Sequence, residues 1–213
     1  MVADLCSRVG ANVETVARAI GMDPRIGGDF LQAGIGFGGE CLPKDLSAFI
    51  QTGKVNGVDF AMLEEVQKIN VARINVYVAQ LLQYLGSLEG KVLAIWGLAF
   101  KPGTNDIRNS QSIKVLQRLV SLKAKLRVHD PYAIEEFKKN WDDFEAVSCA
   151  DSPMDAAIGS HAILVLTDWH QYKEQDFHKL SEVVENPLIL DGRNLLDPAI
   201  LTACGFKYYG IGR

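Results

Sequence analysis

The apolar positions along the chain change period once, near residue 90, and the change separates two kinds of structure. Before it the spacing is helical. Val13, Val16, Ala17 and Ile20 recur at intervals of three and four, with Asn12 placed to cap a helix and Gly21 to end it. A glycine-rich loop over residues 23–39 leads to a helix expected from about Pro43 to Gly53. From about Asp59 to Leu85, the residues Leu63, Val66, Ile69, Asn70, Ile74, Tyr77, Val78, Leu81 and Leu85 build one stripe at helical spacing. A helix of that span would reach ~40 Å at 1.5 Å per residue. So long a rod is expected to pack on a second subunit and to bridge two domains.

After Lys91 short β-rich runs take over, at residues 92–96, 126–128, 162–166 and 188–190, with an amphipathic crossover helix over 113–122. This alternation predicts an α/β fold: an open, Rossmann-like parallel sheet flanked by helices, behind a helical region with a long connecting helix. The expected division is 1–88 and 89–213. Ligands of such sheets bind beyond the C-terminal strand ends. The residues there are Gly97-Leu98-Ala99-Phe100-Lys101, His129-Asp130-Pro131, Thr167-Asp168-Trp169 and Asp191-Gly192-Arg193-Asn194, all suited to a binding edge.

Composition narrows the function. A net charge of -4 over 213 residues argues against a nucleic-acid partner. No apolar run approaches membrane-spanning length, and the first residues lack a charged-then-apolar signal layout. Cys6, Cys41, Cys149 and Cys204 are scattered, as are the four histidines, so neither zinc nor a redox pair is indicated and reduced thiols in a cytoplasm are expected.

The most chemical stretch is Gly34-Ile35-Gly36-Phe37-Gly38-Gly39-Glu40-Cys41-Leu42-Pro43-Lys44-Asp45. Its glycines let backbone N–H groups approach a ligand. Pro43 suits a first helical turn, which would place Cys41 just before a helix N-terminus, where the dipole and Lys44 favour thiolate. Asp45 could hold a water or share a proton. This describes a covalent nucleophile beside a small-molecule pocket. The alternative is a cysteine serving as a small buried apolar residue.

A dinucleotide fingerprint is missing from the second region: after Gly97 the turn runs Leu98-Ala99-Phe100-Lys101, without the further glycines a pyrophosphate needs. Phe100 and Lys101 suit a nucleotide diphosphate held by side chains instead. Asp130-Pro131 also reads as a plain turn, and Arg193 either faces the ligand edge or pairs with Asp191.

These elements, with Asp23-Pro24-Arg25-Ile26-Gly27, Ala99-Phe100-Lys101-Pro102 and Thr104-Asn105-Asp106-Ile107-Arg108, resemble the UDP-glucose/GDP-mannose dehydrogenase family. The resemblance covers the family's central and C-terminal parts. It implies an NAD-binding domain upstream of Met1, so that the chain alone is a fragment expected to be inactive. It further implies two oxidations of UDP-glucose, with Cys41 forming a thiohemiacetal and a thioester, and Asp45 in proton transfer and water activation. Lys44 and Arg108 would lie near NAD; their alternatives are an exposed first-turn lysine and an ion pair with Asp106. Arg25, Phe30, Leu31, Gln32, Ala33, Gly34, Phe37, Gly38, Lys101 and Arg193 would contact the nucleotide sugar, Arg25 from a neighbouring subunit of a homodimer. The alternative for Arg25 is a loop-stabilising role on carbonyls. The chain departs from the family pattern at Asn105, where aspartate is frequent, and at Gln111, where proline is.

Overall fold

A computed structural model describes residues 1–213. Four helices come first: α1 (Val2–Val9), α2 (Val13–Gly21), α3 (Cys41–Val55) and α4 (Ala61–Leu85). Then follow β1 (Val92–Trp96), α5 (Gln111–Ser121), β2 (Lys125–His129), α6 (Ile134–Asn140), β3 (Val147–Cys149), α7 (Pro153–Ala157), β4 (Ala162–Val165), α8 (Phe177–Val183), β5 (Leu188–Asp191), α9 (Pro198–Ala203) and β6 (Lys207–Gly210). All six strands are parallel, in the order β3-β2-β1-β4-β5-β6. No helix is long and apolar enough to cross a membrane.

The helix and strand readings hold where burial is strong. β1, β4 and β5 are covered on both faces and read as continuous apolar runs. β3, with three residues, and β6, half-buried at the sheet edge, carry no such run and escaped the sequence. Asn12 does cap α2, its side chain accepting from the Glu14 N–H, but Gly21 is the last helical residue and not the stop. The stripe on α4 is split. Its second half buries Ile74, Tyr77, Val78 and Leu81 against the sheet, and the Tyr77 hydroxyl donates to the Leu190 carbonyl at 2.8 Å. Its first half is half-buried at Leu63, Ile69 and Asn70 and exposed at Val66, and Met62 beside it is exposed as well.

One apolar core runs from Ala3, Cys6 and Val13 through α4 into the sheet. Polar clamps complete the helical side. Arg73 of α4 reaches Asp4 of α1 at 2.5 Å, and the C-terminal Arg213 pairs with Glu14 of α2 while donating to the Leu196 and Asn194 carbonyls. α2 is thereby fixed beside the C-terminal end of β5.

Asp130 is far more than a turn residue. Its buried carboxylate accepts from the backbone N–H groups of Leu98, Ala99, Tyr132 and Ala133 and from the Trp169 indole. The segments that leave β1, β2 and β4 are gathered on one side chain. The crevice between β1 and β4, where the strand order reverses, is filled by the protein itself: Thr167 donates to the Ala99 carbonyl and Ser110 to the Leu98 carbonyl, both at 0 % exposure. A ligand must therefore sit farther out along the edge.

Candidate active site

The cysteine loop, residues 33–40, has neither helix nor strand, so its backbone groups need partners from other elements. The Ile35 N–H donates to the Gly192 carbonyl at 3.1 Å, just past β5. Phe37 is held by Asn70 of α4, which accepts from its N–H at 2.8 Å and donates to its carbonyl at 3.0 Å, and by Gln111 of α5, which donates to the same carbonyl at 2.5 Å. Two glycines allow the loop to lie flat. A Cβ on Gly38 would come within 2.4 Å of the Asn109 carbonyl oxygen, and one on Gly39 within 2.9 Å of the Phe100 ring. Gly39 also holds φ +82°, open to glycine at little cost. The loop thus rests on the C-terminal edge of the sheet from β1 to β5.

It delivers Cys41 as the first residue of α3. This corrects the expected helix start at Pro43, and α3 also continues past Gly53 to Val55. A first-turn position explains the earlier start: helical turns accommodate proline within their first residues, where its missing N–H costs nothing. Cys41 is exposed, which excludes the reading of a buried apolar cysteine. Lys44 ends the first turn and Asp45 follows it, both exposed, with their charged groups 3.8 Å apart. Arg108 faces this turn from the segment before α5. It pairs with Asp106, as its alternative reading required, and also with Glu40, the residue before the thiol. The hydrogen bonds that Arg108 donates to Asp106, then the charge of Asp106 and that of Glu40, raise the Arg108 guanidinium above its ordinary value.

A cavity of about 510 Å³ opens at the other end of the loop, lined by Leu31, Gln32 and Ala33, by Val13, Glu14, Ala17 and Arg18 of α2, and by Arg193 and Asn194. The structure thus gathers three expected loop residues with Arg193. The latter does not make a salt bridge to Asp191; Asp191 accepts from its backbone N–H, while its Nε donates to the Leu166 carbonyl at 2.7 Å. Burial pulls the Arg193 guanidinium below its ordinary value, opposed by Asp168 and Asp191. Gly34 lies between this cavity and the cysteine end. Lys101 is exposed, its Nζ 5.5 Å from the Phe100 ring centroid, so the aromatic face supports the cysteine loop on Gly39 and the cation stands free beside it.

Two expected residues lie apart. Arg25 is 88 % exposed on its side chain and forms a fork with Asp23, not with carbonyls. Phe30 is 93 % exposed and holds φ 60°, an uncommon state for a bulky residue. Asn70 and Gln111 hold the loop in place, yet the sequence offered only weak signals for them: an asparagine inside an apolar stripe, and a glutamine in place of a frequent proline.

Comparison with known proteins decides the affiliation. Residues 1–72 match the profile of the UDP-glucose/GDP-mannose dehydrogenase family central domain, and residues 94–198 match the UDP binding domain of the same family. The chain belongs to the UDP-glucose/GDP-mannose dehydrogenase family. Among relatives, UDP-glucose 6-dehydrogenase of Pseudomonas aeruginosa is 39% identical over 217 residues, covering 99% of this chain and 48% of the relative. UDP-glucose 6-dehydrogenase TuaD of Bacillus subtilis is 40% identical over 212 residues, covering 100% and 46%. Among solved structures, a UDP-glucose dehydrogenase from Pyrobaculum islandicum matches with a TM-score of 0.85 at 31% identity, over 99% of this chain and 46% of its own. A UDP-D-ManNAc dehydrogenase from Pyrococcus horikoshii matches at 0.82 and 28%, over 100% and 47%. The chain spans about half the length of these family members.

Proposed function

We propose that this chain is the central and nucleotide-sugar-binding part, residues 1–88 and 89–213, of an NAD-dependent UDP-glucose 6-dehydrogenase. The observation that carries the reading is an exposed cysteine at the first residue of α3, delivered by a glycine loop whose other end lines a cavity with Arg193. The relatives named for UDP-glucose support that sugar over GDP-mannose.

The cavity accommodates the nucleotide end. Leu31, Gln32 and Ala33 offer backbone groups, Arg193 offers charge at its base, and Lys101 stands nearer the cysteine to meet the diphosphate. The sugar's C6 is then directed along the glycine loop toward Cys41. Oxidation of the C6 alcohol removes a hydride and a proton and leaves an aldehyde. The Cys41 thiolate adds to that carbon, forming a C–S bond, and the oxyanion takes up a proton. Loss of a second hydride with the hydroxyl proton gives a thioester. Water, oriented by Asp45, then breaks the C–S bond, releasing the carboxylate and regenerating the thiol. Holding the aldehyde on sulfur prevents its escape.

NAD, when bound, accepts the hydrides. Lys44 and Arg108 are exposed cations on the cysteine side that would face it, whereas the crevice between β1 and β4 is closed by Thr167 and Ser110 and cannot take a dinucleotide. The exposed Met62 and Val66, four residues apart on one side of α4, supply an apolar face for a homodimer, with Arg25 reaching across to a second copy's sugar.

Calorimetric titration tests the binding half of this reading. UDP-glucose should bind the chain, GDP-mannose at least about tenfold more weakly, and Lys101→Ala should weaken UDP-glucose by a similar factor, the worth of a charge-assisted contact. Equal affinity for both sugars, or none for either, would refute it.

A further inference from the structure

Phe37 carries the only carbonyl of the cysteine loop that takes side-chain bonds from two helices at once, Asn70 in the middle of α4 and Gln111 at the start of α5. The two contacts join the elements on which the helical side and the sheet side of the site are built. Gln111 is 1 % exposed, and its Oε1 is buried without a partner in the chain. Turning the amide over would set that oxygen against the Phe37 carbonyl, so its orientation follows from the Phe37 contact. A buried amide that leaves its own acceptor unpaired is a poor choice for stability alone, since an apolar side chain of equal length would fill the same space without that penalty. Its use lies in the other half of the amide.

We propose that Gln111, with Asn70, is a positioning residue for the reaction: the paired amides on Phe37 set where the loop places the Cys41 thiol relative to Arg108. The inference rests on the nucleophile reading of Cys41. Between Phe37 and Cys41 there are three residues, each seated on the segment that precedes α5 or follows β1: Gly38 on Asn109, Gly39 on Phe100, Glu40 on Arg108. The Glu40–Arg108 pair is exposed, with side chains 48 % and 64 % accessible, and exposed pairs hold little. The buried bond from Gln111 is therefore the firm tie between loop and α5. Without it the loop would stay with α4 and part from α5, carrying Cys41 away from Arg108, a cation of the kind that activates a thiol.

Gln111→Met separates the positioning role from a structural one, because it removes the donor to Phe37 and the unpaired oxygen together. The measurement is site-resolved alkylation by iodoacetamide from about pH 6 to about pH 10, spanning the ordinary thiol range, alongside thermal unfolding, with Cys204 as internal reference. The expected result is an unfolding midpoint at or above that of the native chain and a Cys41 rate about fivefold lower near neutral pH, with its profile displaced upward. Cys204 should not change. Gln111→Leu, which removes the same donor to Phe37 with a different apolar side chain, should move Cys41 in the same direction and decides the matter if Gln111→Met does not fold. An unmoved Cys41 profile in a folded variant, or slowing at Cys41 and Cys204 alike with lost stability, would overturn the proposal. The variant-to-native ratio judges the clip, whereas a native Cys41 no faster than Cys204 defeats the nucleophile reading instead.

Discussion

Cys41 draws its setting from the residues that precede it and the surface they rest on. Its exposure follows from starting α3, and its neighbourhood follows from a loop pressed onto the sheet edge at Gly38 and Gly39. The approach at Gly38 is the tightest. Gly38→Ala would push a methyl group to 2.4 Å from the Asn109 oxygen, a backbone atom in a residue already held at φ 51°. Neither side can yield cheaply, so the loop must lift. Chemical denaturation should show a loss of about 1–3 kcal/mol, the usual cost of overpacking, together with weaker UDP-glucose binding. Unchanged stability and binding would mean that the loop does not lie as close to α5 as described. The residues that set chemistry were legible in proportion to their local signal. Cys41, Lys44 and Asp45 sit in one compact run that a sequence displays openly. Asn70 and Gln111 act from 33 and 74 residues away from Phe37, and no local pattern announces such a contact.

At the level of elements, α4 links the two regimes found in the sequence. Its second half is a core helix of the sheet layer, and Tyr77 marks the junction: fully covered, with its hydroxyl on the Leu190 carbonyl of β5. Burial, and the nearby Asp191 carboxylate, push the Tyr77 phenol well above its ordinary range, so it remains a neutral donor at all working pH values. Tyr77→Phe should cost about 1–2 kcal/mol in denaturant unfolding, because the Leu190 carbonyl loses a buried partner. No change would show that α4 is not held to β5 through this bond. The stripe on α4 was readable as one amphipathic face, but spacing reports only which residues share a side, not what covers them. The helix start at Cys41 and the short strands β3 and β6 were missed for a related reason: a single turn or a three-residue strand is decided by tertiary partners more than by its own composition. The long apolar strands β1, β4 and β5 carried their own evidence.

For the molecule as a whole, the sheet has the strand order of a dinucleotide-binding fold but not its phosphate crevice, which Thr167, Ser110 and Asp130 close from within. The cavity lies farther out, on the surface shared by the glycine loop, Arg193 and α2, where the proposed reading puts the nucleotide. On the proposed reading, the helical region brings a thiol to an edge that the sheet alone could use only for binding. The proposed function depends above all on this thiol being reactive and facing the nucleotide sugar. It is tested most directly by alkylating the native chain with iodoacetamide near neutral pH, with and without UDP-glucose, and reading each cysteine by mass spectrometry. Cys41 should react well ahead of Cys149 and Cys204 and be slowed by UDP-glucose; a Cys41 no faster than the others, or indifferent to the sugar nucleotide, would rule out a reactive thiol at the sugar site.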